Sequence, residues 1–254
     1  MAESCDCLIV GAGPAGASLA ILLARDGLRV VLVDHGRGHR SGPYETLLGG
    51  ARTMLDRVDL ASVIGGGAEP DPLRHGAIWG EGAVAWRAGE PAGLLLRRGP
   101  FDAALRTAAA AAGVTVRCPA RAMPGTHGFA VVAVGDEHAA PELWAPRLVV
   151  LATGRAGHAG VPGQRRTLAL TFVGEAHAAD RGSAVVEAVP CGWIWTHVPP
   201  AGPASAAVFV DEADVRTSRR GQRQFALAAL AGATGPAARL TAPELAFAND
   251  ATPA

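Results

Sequence analysis

The sequence contains no lysine, and its 23 basic residues other than histidine are balanced by 23 aspartates and glutamates. These charges are spread along the chain. No segment therefore concentrates the positive field that would attract nucleic acid or an anionic membrane surface. We expect neither of these partners.

Long uninterrupted apolar runs and paired cysteines are also lacking. The apolar stretch at residues 8–24 is interrupted by glycines and Pro14, and acidic residues precede it where a signal peptide would carry basic ones. The four cysteines form no CxxC pair, so we interpret each as a small buried residue, with a redox or metal role for Cys5 and Cys7 as the alternative. We predict a cytoplasmic protein without a metal site.

A glycine-rich turn stands near the start of the chain between an apolar run and a helical pattern. Cys7–Val10 is typical of a buried strand, and the turn follows as Gly11-Ala12-Gly13-Pro14-Ala15-Gly16. Apolar residues then recur at helical spacing up to Gly27, and Arg29–Asp34 has the β-branched density of a second strand. This order is that of a dinucleotide-binding βαβ unit.

Each glycine of the turn has its own role in such a unit. Gly11 allows the tight turn, Gly13 lets the backbone approach a pyrophosphate, and Gly16 lets the helix pack closely against the strand. The phosphates would lie at the helix N-terminus, beside Pro14 and Ala15.

Asp34 ends the second strand, 18 residues after Gly16. An acidic side chain at this place accepts hydrogen bonds from an adenosine ribose, and its charge would repel a 2′-phosphate. The sequence thus favours FAD or NAD over NADP. The alternative, a tight turn without a ligand, is disfavoured because the strand, helix, second strand and acid occur together.

The rest of the chain predicts another helix, a meander and a second sheet. Residues 97–102 open a helix that ends at Gly113 and leads into a strand, and residues 120–146 hold only short strands and turns. Trp144–Leu151 is predicted as a buried strand that ends in the turn Ala152-Thr153-Gly154, and four short strands follow between residues 167 and 211.

In this order the parts resemble the FAD-dependent monooxygenases related to 4-hydroxybenzoate hydroxylase, in the branch of geranylgeranyl reductases and tryptophan halogenases. The resemblance rests on four elements: the Gly11–Gly16 turn with Asp34, Arg98-x-x-Phe101-Asp102, Ala152-Thr153-Gly154, and Gly192-Trp193-Ile194-Trp195. It implies an α/β fold in which a Rossmann-like FAD/NAD(P)-binding parallel sheet of the glutathione reductase type carries a β-meander. An antiparallel substrate-domain sheet would complete the fold.

The resemblance also implies a domain division and a cofactor. We predict an FAD-binding domain over residues 1–165, with 75–87 joining the substrate sheet, and a partial substrate domain over 166–254. Arg98 would lie near the phosphates of FAD, and Ala152, Thr153 and Gly154 would bring the dinucleotide to the sheet. The alternatives are a solvated arginine and an ordinary strand-ending turn.

Family members have a further Gly-Asp segment that binds the flavin. Nothing after Asp211 resembles it, so we expect either a C-terminally truncated version of such a protein or a site that is completed otherwise.

The implied function is that of an FAD-dependent oxidoreductase. The first hypothesis is a monooxygenase that hydroxylates an aromatic or apolar substrate through a flavin C4a-hydroperoxide. The substrate would be a small molecule or an aromatic residue of a peptide, and NAD(P)H or a flavin reductase would supply electrons. The alternatives are a flavin-linked reductase of the geranylgeranyl reductase type and a truncated, non-catalytic nucleotide-binding remnant.

Halogenase chemistry of the tryptophan type is not expected, because it requires a lysine relay and the chain has no lysine. By strand alternation Trp193, Trp195 and His197 share one face. His197 is the only candidate for a proton donor or acceptor near the substrate, and the alternative is a hydrogen-bonded structural histidine.

Overall fold

The computed structural model describes residues 2–36, 45–57, 59–64, 71–80, 82–87, 93–126, 128–135, 140–154, 166–215 and 219–250. The chain forms two compact units. The first comprises residues 1–39, 56–68 and 99–159, and the second comprises residues 40–55, 69–98 and 160–254. The predicted division into functional domains at residue 165 stays a prediction.

The strands and helices alternate in the first half of the chain, and strands dominate the second half. In chain order they are β1 (Glu3–Val10), α1 (Pro14–Arg25), β2 (Val30–Val33), β3 (Glu45–Leu47), α2 (Gly49–Arg57), α3 (Ala61–Ile64), β4 (Asp71–Ile78), β5 (Ala85–Trp86), β6 (Gly93–Leu96), α4 (Arg98–Ala111), β7 (Thr115–Arg117), β8 (Ala120–Gly125), β9 (Gly128–Ala133), β10 (Glu142–Leu151), β11 (Thr167–Glu175), β12 (Ser183–Val189), β13 (Gly192–Val198), β14 (Ala204–Asp211), α5 (Arg219–Ala231) and β15 (Thr241–Asp250).

A six-stranded sheet organises the first unit, in the order β7-β2-β1-β10-β9-β8. β7, β2, β1 and β10 are parallel, whereas β8, β9 and β10 form an antiparallel meander. All four residues of β2 are buried, as expected for a strand in the middle of a parallel sheet. The predicted strand, turn, helix, strand and meander are therefore confirmed.

The second unit is built on a larger sheet with the strand order β15-β11-β14-β13-β12-β4-β6-β3, and β5 pairs with β4. We expected an antiparallel sheet, and every adjacent pair is antiparallel except β4 and β12, which are parallel. A parallel pair needs a long crossover connection. Here the chain passes through the whole first-unit segment from α4 to β10 between these two strands.

One face of the second sheet forms the core of its unit. Leu170, Phe172, Ile194 and Val208 are fully buried there, and the hydrophobic cluster they belong to includes Ala226 and Leu230 of α5. The opposite face carries Trp193, Trp195 and His197, because alternate residues of β13 point to opposite sides.

Candidate functional site

The glycine-rich turn packs against Ala152 in a space that no larger residue fits. Gly11 has a φ angle of +108°, and a Cβ atom there would overlap the carbonyl oxygen of Ala152. A Cβ atom at Gly16 would overlap the carbonyl oxygen of Gly11 and lie 3.0 Å from the Cβ of Ala152. The turn after β1 can therefore pack directly against the turn after β10, because Gly11 and Gly16 have no side chains.

Gly13 serves a different purpose, because its backbone angles, φ −73° and ψ −176°, are open to any residue. It is the N-cap of α1, no side chain caps this helix end, and Pro14 occupies the first turn. The first-turn amides of a helix lack partners within the helix and carry a positive partial charge. The backbone conformation of Gly13 therefore does not require glycine. The absence of a side chain instead leaves room for an anionic ligand at the helix start.

Asp34 is held in place by backbone amides on both sides of its carboxylate. Ala12 N donates a hydrogen bond to Oδ2 at 2.8 Å, and Gly36 N donates to Oδ1 at 2.8 Å. Each carboxylate oxygen can accept more than one hydrogen bond. The acid therefore keeps acceptor capacity for the hydroxyl groups of a ribose.

The turn at Ala152, Thr153 and Gly154 follows β10, the last of the four parallel strands. The prediction that this strand is buried was wrong, because the side chains of Leu148 and Leu151 are exposed. Ala152 N donates to the carbonyl oxygen of Val10 at 2.7 Å, and Gly154 has a φ angle of +60°. Ala152 and Thr153 are half-buried, and Gly154 is exposed. The hydrogen bond to Val10 joins this turn to the residue that precedes the glycine-rich turn.

Together these features fit the pyrophosphate and adenosine ribose of a dinucleotide. The described residues provide the start of α1, which no side chain caps, and Gly13, whose conformation does not require glycine. They also provide Asp34, which a backbone amide holds at the end of the adjacent strand. Such a set binds a phosphate by backbone amides and a ribose by a carboxylate.

Arg98 starts α4 and forms an ion pair. Its Nη1 donates to Oε2 of Glu45 at 2.7 Å, and its side chain is only 12% exposed. Arg98 is therefore not a solvated arginine. Sequence analysis missed Glu45 because it precedes Arg98 by 53 residues, and no local spacing connects the two.

His197 lies on the face of β13 that carries the two tryptophans. Trp195 stacks on its ring with centroids 5.2 Å apart, and Trp193 stacks on Phe209 of β14 at 5.1 Å. His197 Nε2 lies 2.7 Å from Oγ1 of Thr46 in β3, a partner that sequence analysis also missed.

The environment of His197 keeps its ring neutral. The side chain is buried, and its pKa is lowered to about 4 from the usual value of 6.5. Burial is the largest cause and the charge of His75 the second, whereas Glu45 acts in the opposite direction and raises the pKa. At neutral pH the imidazole is therefore uncharged, and its Nε2 is engaged with Thr46.

Among the described residues there is no group of three or more histidine, cysteine or carboxylate side chains that could hold a metal ion. In that same part of the chain, no helix is long and apolar enough to cross a membrane.

Comparison with known proteins agrees with this geometry. Residues 4–122 match the model of a family described as an FAD binding domain, and FAD is the cofactor. The chain has the fold of FAD-dependent monooxygenases, halogenases and geranylgeranyl reductase-like proteins.

Three solved structures illustrate the likeness. A peptidyl tryptophan dihydroxylase essential for tryptophylquinone cofactor biogenesis has a TM-score of 0.75 and 24% identity, covering 98% of this chain and 56% of its own. A geranylgeranyl bacteriochlorophyll reductase-like protein from Thermoplasma acidophilum has a TM-score of 0.72 and 17% identity, covering 98% of this chain and 66% of its own. The p-nitrophenol 4-monooxygenase from Pseudomonas putida has a TM-score of 0.70 and 17% identity, covering 98% of this chain and 68% of its own.

At these identities the likeness concerns the fold. The chain spans 56% of the length of the dihydroxylase and about two thirds of the other two. No curated protein sequence matches the chain significantly.

Proposed function

We propose that the chain carries the cofactor-binding and substrate-sheet parts of an FAD-dependent monooxygenase that hydroxylates an aromatic or apolar substrate. The observation that carries the proposal is the hydrogen bond between Ala12 N and Asp34 Oδ2. It joins a phosphate-binding turn to a ribose-binding acid within the segment that matches an FAD binding domain.

In this proposal the first unit binds the dinucleotide. The amides of Gly13 and Ala15 donate to the pyrophosphate beside Pro14, which has no N–H, and the small Gly11 and Gly16 allow the close packing that this turn needs. Asp34 accepts hydrogen bonds from the ribose. Ala152, Thr153 and Gly154 form the adjoining turn, at the carboxyl ends of the parallel strands, where ligands of open α/β sheets bind.

Arg98 is proposed as the cation that contacts the cofactor phosphates. Glu45 holds its guanidinium through Nη1, which keeps a positive charge at the start of α4. A planar guanidinium is well suited to contact with a phosphate.

The substrate would contact the face of the second sheet that carries Trp193 and Trp195. Reduced FAD supplies the oxygen activation when it is bound, and the chain contributes binding, orientation and exclusion of water. His197 remains the candidate for proton transfer to or from the substrate, although its bond to Thr46 favours a positioning role. The fold shared with a peptidyl tryptophan dihydroxylase and a p-nitrophenol monooxygenase supports an aromatic substrate, either free or within a peptide.

A second candidate function is alkene reduction, supported by the fold shared with the geranylgeranyl bacteriochlorophyll reductase-like protein. It would use the same FAD site and would consume no O₂. A non-catalytic nucleotide-binding role would require only the first unit. The cytoplasmic location expected from the sequence and the use of NAD(P)H or a flavin reductase as electron donor are also proposals.

The test has two stages. Purified protein is first titrated with FAD, and binding is followed by the flavin absorbance and fluorescence changes. The FAD-loaded protein is then supplied with NADH, NADPH or a flavin reductase and offered phenol, p-nitrophenol, or a short tryptophan-containing peptide, and O₂ uptake and product mass are measured.

A gain of 16 mass units with matched O₂ uptake is the expected result. Anaerobic reduction of a geranylgeranyl substrate would support the reductase instead. FAD binding without turnover of any substrate would favour the non-catalytic role, and no FAD binding would overturn the cofactor assignment.

A further inference from the structure

The short strand β3 is held by side-chain hydrogen bonds at two adjacent residues. Glu45 accepts a bond of 2.7 Å from Arg98 at the start of α4, and Thr46 Oγ1 lies 2.7 Å from His197 Nε2 on β13. Neighbouring side chains of a strand point to opposite sides. The two bonds therefore connect β3 to Arg98 and to β13, both within the second unit.

Among the described residues, β3 pairs its backbone with one neighbouring strand. It contains three residues and is the last strand of its sheet, so its backbone pairs only with β6, from Glu45 opposite Leu96 to Leu47 opposite Leu94. A short edge strand with one neighbour leaves half of its backbone groups unpaired by the sheet. The side-chain bonds of Glu45 and Thr46 therefore contribute to the position of β3.

His197 is a rigid anchor. β13 lies inside the sheet, paired with β12 on one side and β14 on the other, and His197 is opposite Ala184 and Ser205. The ring is buried and stacks on Trp195. Its Nε2 thus has a fixed position from which it can hold the hydroxyl of Thr46.

Water screens these bonds only partly. The side chain of Arg98 is 12% exposed and that of Glu45 is 36% exposed, whereas His197 is only 8% exposed. Hydrogen bonds between charged groups are roughly twice as strong as neutral ones and restrict geometry more. A displacement of β3 would therefore be transmitted to the guanidinium of Arg98.

We propose that His197 is a positioning residue for Arg98. It holds Thr46, Thr46 fixes β3, and Glu45 on the same strand sets the orientation of the guanidinium that starts α4. The inference rests on the proposed function, because it assigns Arg98 to the cofactor phosphates. It gives His197 a role in cofactor binding without contact with FAD or the substrate.

The test measures the dissociation constant of FAD for apo-protein variants by quenching of flavin fluorescence. His197→Phe removes the bond to Thr46, and Thr46→Val removes it from the other side while the imidazole remains. We expect each to weaken FAD binding about threefold to tenfold, which corresponds to the loss of one ordinary hydrogen bond. His197→Gln, whose amide can still reach Thr46, should bind FAD within about twofold of the wild type.

The decisive comparison is made in an Arg98→Met background. Arg98→Met alone should weaken FAD binding about tenfold or more, as expected for a charged hydrogen bond. Adding His197→Phe should then have no further effect, because a residue that acts through Arg98 cannot act when Arg98 is absent. Thr171→Val, at a buried threonine of β11 two strands away from β13, controls for the loss of a buried hydroxyl and should leave FAD binding unchanged.

The outcomes separate this inference from the proposed function. Wild-type protein that binds no FAD overturns the proposed function. If the wild type binds FAD but His197→Phe and Thr46→Val bind it equally well, only the positioning role fails. The positioning role is also overturned if His197→Phe weakens FAD binding as much in the Arg98→Met background as it does in the wild type. It is overturned as well if thermal melting shows that Thr46→Val is folded and its FAD affinity is unchanged.

Discussion

The backbone amide of Ala12 donates a hydrogen bond of 2.8 Å to Oδ2 of Asp34. Ala12 lies in the turn after β1 and Asp34 lies at the end of β2, so the bond joins the two parts of the dinucleotide site. Gly36 N holds the other carboxylate oxygen at 2.8 Å. The acid is oriented before any ligand binds, which lowers the ordering cost of binding.

Substitution of Asp34 should affect stability and cofactor affinity to different degrees. Asp34→Ala removes the acceptor of two backbone amides, so we expect the free energy of unfolding of the apo-protein to fall by about 1–3 kcal/mol. Asp34→Asn keeps one acceptor oxygen and should lose less stability, yet it should weaken FAD binding about tenfold. Urea unfolding and fluorescence titration measure the two effects.

Asp26→Asn, at the exposed C-cap of α1, is the matched control for Asp34→Asn and should change neither quantity. FAD binding by Asp34→Ala at wild-type affinity would contradict the assignment of Asp34 to the ribose.

Gly16→Ala should destabilise the first unit. The added Cβ would overlap the carbonyl oxygen of Gly11 and approach the Cβ of Ala152, and overpacking of this kind costs about 1–3 kcal/mol. Gly50→Ala in α2 meets nothing within 4 Å and should stabilise the protein by about 0.5–1 kcal/mol, because alanine favours the helix. Thermal unfolding of both variants checks the contrast, and equal melting temperatures would show that the turn can relax around a methyl group.

The first unit could be predicted from the sequence because its signals are local. The apolar run Cys7–Val10, the glycine-rich turn and the acid at Asp34 occur within 28 residues, and a βαβ unit needs no distant partner to be recognised. The contacts of the second unit could not be predicted in the same way. Thr46 and His197 are 151 residues apart in the chain, and only the order of the strands brings them together.

β15 shows why a polar segment can still form a strand. The sequence of Thr241–Asp250 contains a proline and polar residues, yet it pairs along β11 as the edge strand of its sheet. Proline is tolerated at an edge or a bulge because it lacks a backbone N–H donor. The register of β15 against β11 shifts between Val173 and Glu175, and Pro243 lies beside this irregularity.

Glu187 should be a determinant of stability and not of cofactor binding. This buried residue of β12 accepts hydrogen bonds from the amide and hydroxyl of Thr234 and from the amide of Gly235. Glu187→Ala leaves these donors without their acceptor, so we expect a loss of about 3 kcal/mol in the free energy of unfolding. The exposed Glu175→Ala should stay within about 0.5 kcal/mol of the wild type.

Urea unfolding measures the effect at Glu187, and FAD titration of the folded variant should give the wild-type dissociation constant. If Glu187→Ala loses no more unfolding free energy than Glu175→Ala, the donors of Thr234 and Gly235 find other acceptors and the prediction is wrong.

The buried His197 should make the protein less stable in mild acid. Its pKa is lowered to about 4 in the native state, mainly by burial and then by His75, against 6.5 as the ordinary value. At pH 7 the ring is neutral in the native state and mostly neutral in the unfolded state, so it contributes little to the pH dependence there. Between pH 6.5 and 4 the unfolded state binds the proton and the native state does not, so stability falls as the pH falls. Over this range the loss from His197 is about 3 kcal/mol.

The measurement is urea unfolding of the wild type and His197→Gln at pH 7 and pH 4.5. Glutamine does not titrate, so the free energy of unfolding of the variant should fall less on acidification than that of the wild type. The difference between the two losses should be about 2–3 kcal/mol. His177→Asn, at an exposed histidine, should keep the wild-type pH dependence. If His197→Gln and the wild type lose equal stability between the two pH values, the imidazole is charged in the native state, and its bond to Thr46 would then be that of an imidazolium donor.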